Sequence, residues 1–446
     1  MGKGKWFLKK AASLVMSAAM VVTLIPAQSV FADESTASTT LPDKLVYLSF
    51  DTAISSEGDV ATAALAGGTS ATISSTDKKV GDGALDLSNS SYLTVKDADG
   101  NNPITGKDEI TISYYSKVGA DNAGWVYHIS KDTSNTYKKE HYLGIIDKST
   151  GIEEQRWNNS GARKPTITYA NALKGWKLVT VVMENNATTL YIDGAKIQTL
   201  EDEPLLTDIL GSSSAFQIGK ANWGNGEYYS GLIDDFTVYD GALTSDQVAS
   251  VYLANASDEE QKAYLISQIE AGLKDVDKDC VTDNLKLLTG IGGVDITWTS
   301  SAPDKIDTDG TVKVKDGSTV TLTAAVNGET IVAEKVTLAT SATVKWIVSG
   351  TDTVLDTKTI DSLKANTSYT YDASKDAVYT TSDGKTYVLD SANSVLTIGA
   401  LGTPDANNIT LVYLESAVSE QAETVAVETR EGIAPVLPAE VLAKYT

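Results

Sequence analysis

The chain has 446 residues, 42% of them hydrophobic, and carries 59 acidic against 36 basic side chains for a net charge of -23. A surface of that sign, with Lys and Arg scattered rather than clustered, argues against DNA, RNA and anionic lipid as partners, because binding them rests on neutralising phosphate. A single cysteine, Cys280, excludes an internal disulfide, and two histidines, His128 and His141, leave little material for a histidine-rich metal site or a His-dependent triad.

At the N-terminus, Lys3, Lys5, Lys9 and Lys10 precede an apolar run from Ala11 to Ile25, and Val30-Phe31-Ala32 offers a small-residue cleavage site. This is the layout of an export signal, with an apolar run too short to span a bilayer comfortably. Residues 1–32 are expected to be removed and residues 33–41 to form a linker. The protein is then secreted, free or at the cell surface, with no membrane insertion after cleavage. Core burial rather than cross-linking must stabilise it.

Residues 42–255 read as short alternating runs separated by Gly, Asn, Asp and Ser clusters, the mark of an antiparallel β-sandwich. Leu178–Met183 and Thr189–Ile192 form a hairpin through Asn185-Asn186. Asp193-Gly194, a pair suited to positive φ at both turn positions, leads on to a third strand over Ala195–Leu200. Near the end of this region, Thr244 and Gln247 form a capping box flanked by a Leu243/Val248 staple, predicting a short helix to about Leu253.

Several phrases in this region carry a family resemblance. Val46–Asp51, Val80-Gly81-Asp82-Gly83-Ala84-Leu85, Ile110–Lys117, Trp176–Val182, Leu190–Gly194 and Gly231–Phe236 follow the order found in laminin-G-like, concanavalin-A-like jelly rolls. The resemblance implies an all-β fold, a two-sheet sandwich of about a dozen strands. It also implies that Trp176 packs in the core and that a structural calcium ion is bound. Asp51 and Asp234 are its candidate ligands, since first and last strands of a sandwich can be neighbours and a carboxylate on an apolar face needs a partner. Backbone N–H donors to Asp234 are the alternative.

Residues 257–340 open with an acidic helix from Asp258 to about Lys274 and continue through Asp295–Ser301 and Asp309-Gly310-Thr311-Val312. This resembles a bacterial immunoglobulin-like domain, which implies a core position for Trp298. Residues 342–415, with Lys345–Ser349, Lys385–Leu389 and Ile409–Tyr413, resemble the mucin-binding-protein-like repeats of Gram-positive surface proteins. Within 416–446, Gly432–Pro438 looks like the opening of a further immunoglobulin-like module.

For function, no His-Glu-x-x-His, Gly-x-Ser-x-Gly or Glu-x-Asp-x-x-Glu phrase occurs, so no catalytic residue is assigned. Glu153 and Glu154 are adjacent and would point to opposite faces of a strand; a solvated loop is the expected home for both. Sugar rings stack on aromatic faces and their hydroxyls need amide, carboxylate or guanidinium partners. Two clusters supply both: Gln155-Arg156-Trp157-Asn158-Asn159, which must form a loop if Arg156, Trp157 and Asn158 are to act together, and Asn222–Tyr229 with Trp223 and Tyr228. The favoured function is non-catalytic binding of a polysaccharide or other glycan. A surface adhesin or structural protein contacting host or cell-wall protein, and an accessory part of an arabinan-degrading glycoside hydrolase, are the alternatives. Exported protein is expected to begin at Asp33, and an intact mass that retains residues 1–32 would refute the leader.

Overall fold

A computed structural model describes residues 40–416 apart from 55–61, 66–70, 120–122, 132–139, 149, 160–166, 171–174, 211–213 and 224–226. The expected leader and the stretch after residue 416 lie outside the described residues. The chain divides into two compact units, Met1–Ala271 with Gly290–Asp295, and Gly272–Thr289 with Ile296–Thr446.

The first unit is a sandwich. Its strands begin with β1 (Lys44–Leu48), β2 (Thr62–Leu65), β3 (Thr72–Ser74), β4 (Ala84–Asp86) and β5 (Leu93–Lys96). Then come β6 (Ile110–Val118), β7 (Ala123–Ser130), β8 (Tyr142–Lys148), β9 (Gly151–Trp157) and β10 (Ile167–Tyr169). The last are β11 (Lys177–Met183), β12 (Thr188–Ile192), β13 (Ala195–Leu200), β14 (Ala215–Ile218) and β15 (Gly231–Tyr239). One sheet runs β13-β12-β11-β6-β15-β4-β3, with β1 also on β15; the other runs β10-β9-β8-β7-β14-β5-β2. This is the expected all-β, concanavalin-A-like architecture.

Alternation along each strand builds the interior. In β6, Ile110, Ile112 and Tyr114 enter the common core with Val179 and Val181 of β11, Ile129 of β7, Leu143 of β8 and Phe236 of β15. Each such side chain contributes about 1.5–3 kcal/mol on burial. The expected hairpin pairs Val179 with Ile192, and Asp193 and Gly194 take φ of 49° and 77°.

Two helices follow a single turn, α1 (Leu206–Ile209). In α2 (Ser245–Asn255), Thr244 and Gln247 form the expected capping box, at 3.2 Å and 2.9 Å. Leu243 and Val248 pack with Val182, Tyr191 and Tyr239, covering the outer face of the eight-stranded sheet. The acidic helix α3 (Asp258–Gly272), all but its last residue, packs with this unit: Tyr264 lies 5.3 Å from Tyr252 and donates to the Gly194 carbonyl, and Lys79 pairs with Glu260 at 2.7 Å.

The second unit holds a three-stranded sheet (297–300, 319–326, 329–337) around buried Trp298, whose indole N–H donates to the Leu288 carbonyl at 2.8 Å. It also holds a five-stranded sheet over Val344, Trp346, Leu411 and Tyr413. There Thr340–Val348 runs parallel to Asn408–Glu415. Buried Asn407 joins these strands, donating to the Ser341 carbonyl at 2.8 Å and accepting from the Gly402 N–H at 2.7 Å.

Between the two sheets of the first unit sits a fully buried acid, Asp147 of β8, 3.3 Å from the Tyr114 hydroxyl. Burial pushes its pKa up to about 7, against the opposing effect of hydrogen bonds from Ser116 and Tyr114. A folded pKa above the unfolded one means that the fold binds the extra proton, so stability falls as pH rises from about 4 to about 7. Asp147→Asn should flatten this dependence, raising the urea midpoint at pH 8 but little at pH 4. A shift of equal size at both pH values would refute it.

Candidate functional site

With α2 over the eight-stranded sheet, the outer face of the seven-stranded sheet is where side chains can gather toward solvent. Register sets who meets there. Ser130, Tyr142 and Trp157 lie side by side across β7, β8 and β9, and His128, Gly144 and Gln155 form the next row. Strict alternation would put Trp125 with Tyr127 on the inner side. A bulge at Val126 breaks the parity, sending Val126 and Tyr127 into the core and Trp125 outward.

The result is an aromatic cluster on a sheet surface. Trp125 (1% exposed), His128 and Tyr142 are buried beneath two part-exposed indoles, Trp157 and Trp223. Trp223 stands nearly perpendicular to Trp125 and His128, at 5.4 Å and 4.5 Å, and lies 5.2 Å from Tyr142. Trp157 is 6.2 Å from the same tyrosine. The two indoles therefore lie within about 11 Å of one another. Room for the Trp125 ring comes from Gly144, where an added Cβ would meet its six-membered ring at 2.8 Å.

Polar groups border the rings. The Tyr142 hydroxyl donates to Gln155 Oε1 at 2.9 Å, and Asn222 Nδ2 donates to Ser130 Oγ at 2.7 Å. Tyr228, part-exposed, lies 6.3 Å from Tyr92, and the Lys220 ammonium sits about 5 Å from both rings. The carboxylates of this face are engaged: Glu153 pairs with Lys148 at 2.5 Å, and Glu227 accepts from two indole N–H groups.

Trp157, Trp223 and Tyr228 are thus near this face, and Asn158 follows directly at the end of β9, part-exposed. Arg156 is not part of it. The expected loop is a regular strand through Trp157, so Arg156 points the opposite way and is 2% exposed. Its guanidinium donates to the carbonyls of Glu184, Asn185 and Ala187, tying down the β11–β12 turn, and burial pulls its pKa down to about 10. Glu153 and Glu154 likewise lie in β9 rather than in a loop, one outward and one buried. Trp176, expected in the core, is part-exposed, with its N–H on Asp77 at 3.2 Å. Arg163 and Gly224-Asn225-Gly226 lie outside the described residues.

Glu227 falls inside the second sequence cluster but had no role of its own there, and Trp125, Tyr142 and His128 were given none. Within the aromatic cluster the bulge at Val126 hides Trp125, whereas Ser130, His128 and the β8 positions follow ordinary alternation.

Asp51 and Asp234 do converge, on the Val80–Leu85 phrase itself. Asp234 Oδ2 accepts from Lys79 N and Val80 N at 2.8 Å and 2.9 Å, while Asp51 Oδ1 accepts from Asp82 N and, at 3.3 Å, Gly83 N. Gly81, at φ 57°, has no side chain to collide with the Asp51 carboxylate. These N–H donors engage Oδ2 of Asp234 and Oδ1 of Asp51, the backbone arrangement that stood as the alternative to a metal for Asp234. Asp234 does not share a face with Phe236 and Val238. A bulge at Asp235, φ 52°, turns it outward while those two enter the core.

Residues 87–249 match the family described as the concanavalin A-like lectin/glucanases superfamily, and residues 259–346 match the atrophied bacterial Ig domain. The chain therefore carries a laminin-G-like concanavalin-A-type module followed by an atrophied bacterial immunoglobulin region. Over 233 residues it is 25% identical to an alpha-L-arabinofuranosidase of Bifidobacterium longum subsp. longum, covering 49% of this chain and 20% of that protein. It thus spans about a fifth of the length of the curated relative that it matches. Among solved structures, domain 4 of AbnA, an extracellular arabinanase from Geobacillus stearothermophilus in complex with arabinotriose, matches at 17% identity and TM-score 0.39, covering 48% of this chain and all of that one. The IT-sialidase CBM40 of Ruminococcus gnavus, bound to sialyllactose, matches at 19% and 0.29, covering 33% and 83%. Among the described residues, no helix is long and apolar enough to cross a membrane.

Replacing Asp234 by Ala strands the N–H groups of Lys79 and Val80 and should destabilise the first unit by about 2 kcal/mol. The loss should be equal in calcium and in chelator, as read by thermal melting. A loss seen only with calcium present would favour the metal reading.

Proposed function

We propose that this chain is a secreted, non-catalytic carbohydrate-binding protein that holds a polysaccharide across the outer face of the seven-stranded sheet. The observation that carries this reading is the pair of part-exposed indoles, Trp157 and Trp223, both within 6.2 Å of buried Tyr142 on the outer face of the sheet. Two aromatic faces within about 11 Å suit stacking on separate sugar units of one chain. Gln155, Asn158, Asn222 and Tyr228 supply the neighbouring hydrogen-bonding groups. A non-catalytic role is supported by Glu153 and Glu227, both committed to partners within the protein rather than poised across a cleft. The name of the Bifidobacterium relative makes arabinose-containing polysaccharides the first ligands to try.

Affinity electrophoresis of the full chain in gels containing arabinan, with xylan and pectin as comparisons, tests the reading. Trp157→Ala and Trp223→Ala should each weaken retardation by on the order of tenfold, the equivalent of an aromatic contact of about 1.4 kcal/mol. Arg156→Ala should instead lower the melting temperature. Folded Trp157 and Trp223 variants that bind every polysaccharide as the parent does would remove the face from the function.

A further inference from the structure

We infer that Glu227 is the positioning residue of the aromatic face, locking Trp223 against Trp125 so that the exposed indole is set before a ligand arrives. The inference rests on the glycan-binding reading and adds to it the group on which the geometry of that site depends. A single carboxylate oxygen, Glu227 Oε2, accepts from Trp125 Nε1 at 2.9 Å and from Trp223 Nε1 at 2.9 Å. The two ring planes meet at 85°.

The two indoles need this tie unequally. Trp125 is built into β7 and 1% exposed, so packing already fixes it. Trp223 lies beyond the end of β14 and is part-exposed, packed edge-on against the Trp125, His128 and Tyr142 rings. Ring packing sets the orientation of an indole less sharply than a directional hydrogen bond does, and ordering a side chain on binding costs affinity. An acceptor oxygen shared with the fixed indole sets that orientation in advance.

The backbone around the carboxylate is held as well. Trp125 N–H donates to the Glu227 carbonyl at 3.4 Å, and Tyr228 bridges to both Trp125 and Lys220. Glu227 itself adopts φ 56°, a left-handed conformation that is disfavoured for a residue with a Cβ. The segment therefore accepts strain where its side chain meets the two rings.

The test compares Glu227→Ala, Glu227→Gln, Trp223→Ala and the Glu227→Ala/Trp223→Ala double variant in the full chain. Near-ultraviolet circular dichroism reads the paired indoles without ligand, and calorimetric titration with debranched arabinan reads affinity. Glu227→Ala should lose the coupled-indole signal that Trp223→Ala also loses, and bind about tenfold more weakly. Glu227→Gln, which keeps an acceptor oxygen in place, should retain both. The double variant should bind no worse than Trp223→Ala alone. A parental spectrum for Glu227→Ala would overturn the inference. So would a Glu227→Gln variant as weak as Glu227→Ala, since the charge would then be contacting the ligand directly. Failure of the glycan reading looks different: Trp157→Ala and Trp223→Ala would then bind as the parent does.

Discussion

Most inward positions along the strands of the first unit must be apolar, because no disulfide holds the two layers together. That requirement fixes everything else about the strands, since the intervening residues are sent outward whether or not anything waits for them there. On the eight-stranded sheet, Tyr191 and Tyr239 meet Leu243 and Val248 and are covered. On the seven-stranded sheet, the outward set is Trp125, His128, Tyr142 and Trp157, and its cover is a loop indole, Trp223. The candidate site is thus what the interior of the sandwich leaves on the outer face of the seven-stranded sheet.

The same rule accounts for what could be read from the chain in advance. The sandwich, the β11–β12–β13 meander with its Asp-Gly turn and the Thr244 capping box all follow from local pattern, and local pattern is what a single sequence displays. Trp157 and Trp223 were also within reach, as aromatics beside amides. Arg156 was misplaced because a run ending in Asn-Asn looked like a loop, whereas pairing with β8 keeps it extended through Trp157. Once the segment is a strand, its neighbours cannot share a face.

Two single-residue bulges hid the rest. Trp125 and Asp234 both carry the parity of core residues, Tyr127 and Phe236 respectively, and both face outward because an extra residue intervenes. Nothing in composition or periodicity marks Val126 as the inserted residue. The backbone donors to the two acids were hidden for a reason of scale, since Asp51 and Asp234 meet a segment remote from either in sequence.

The pairing of β1 with β15 has a further consequence. Lys44 lies opposite Tyr239, so the sheet closes only when residues nearly the whole length of the unit apart have met. The Asp234 contacts to Lys79 and Val80 are similarly remote. Closing such long loops loses chain entropy before the contacts return any of it, and folds rich in distant pairings reach the native state slowly. A nascent chain can form the β11–β13 meander early and alone, but it holds an open edge and an unsealed interior until its final strand arrives. The eight-stranded sheet therefore cannot be completed before β15 has been made, and the interval before then is when the chain is most exposed to misassociation.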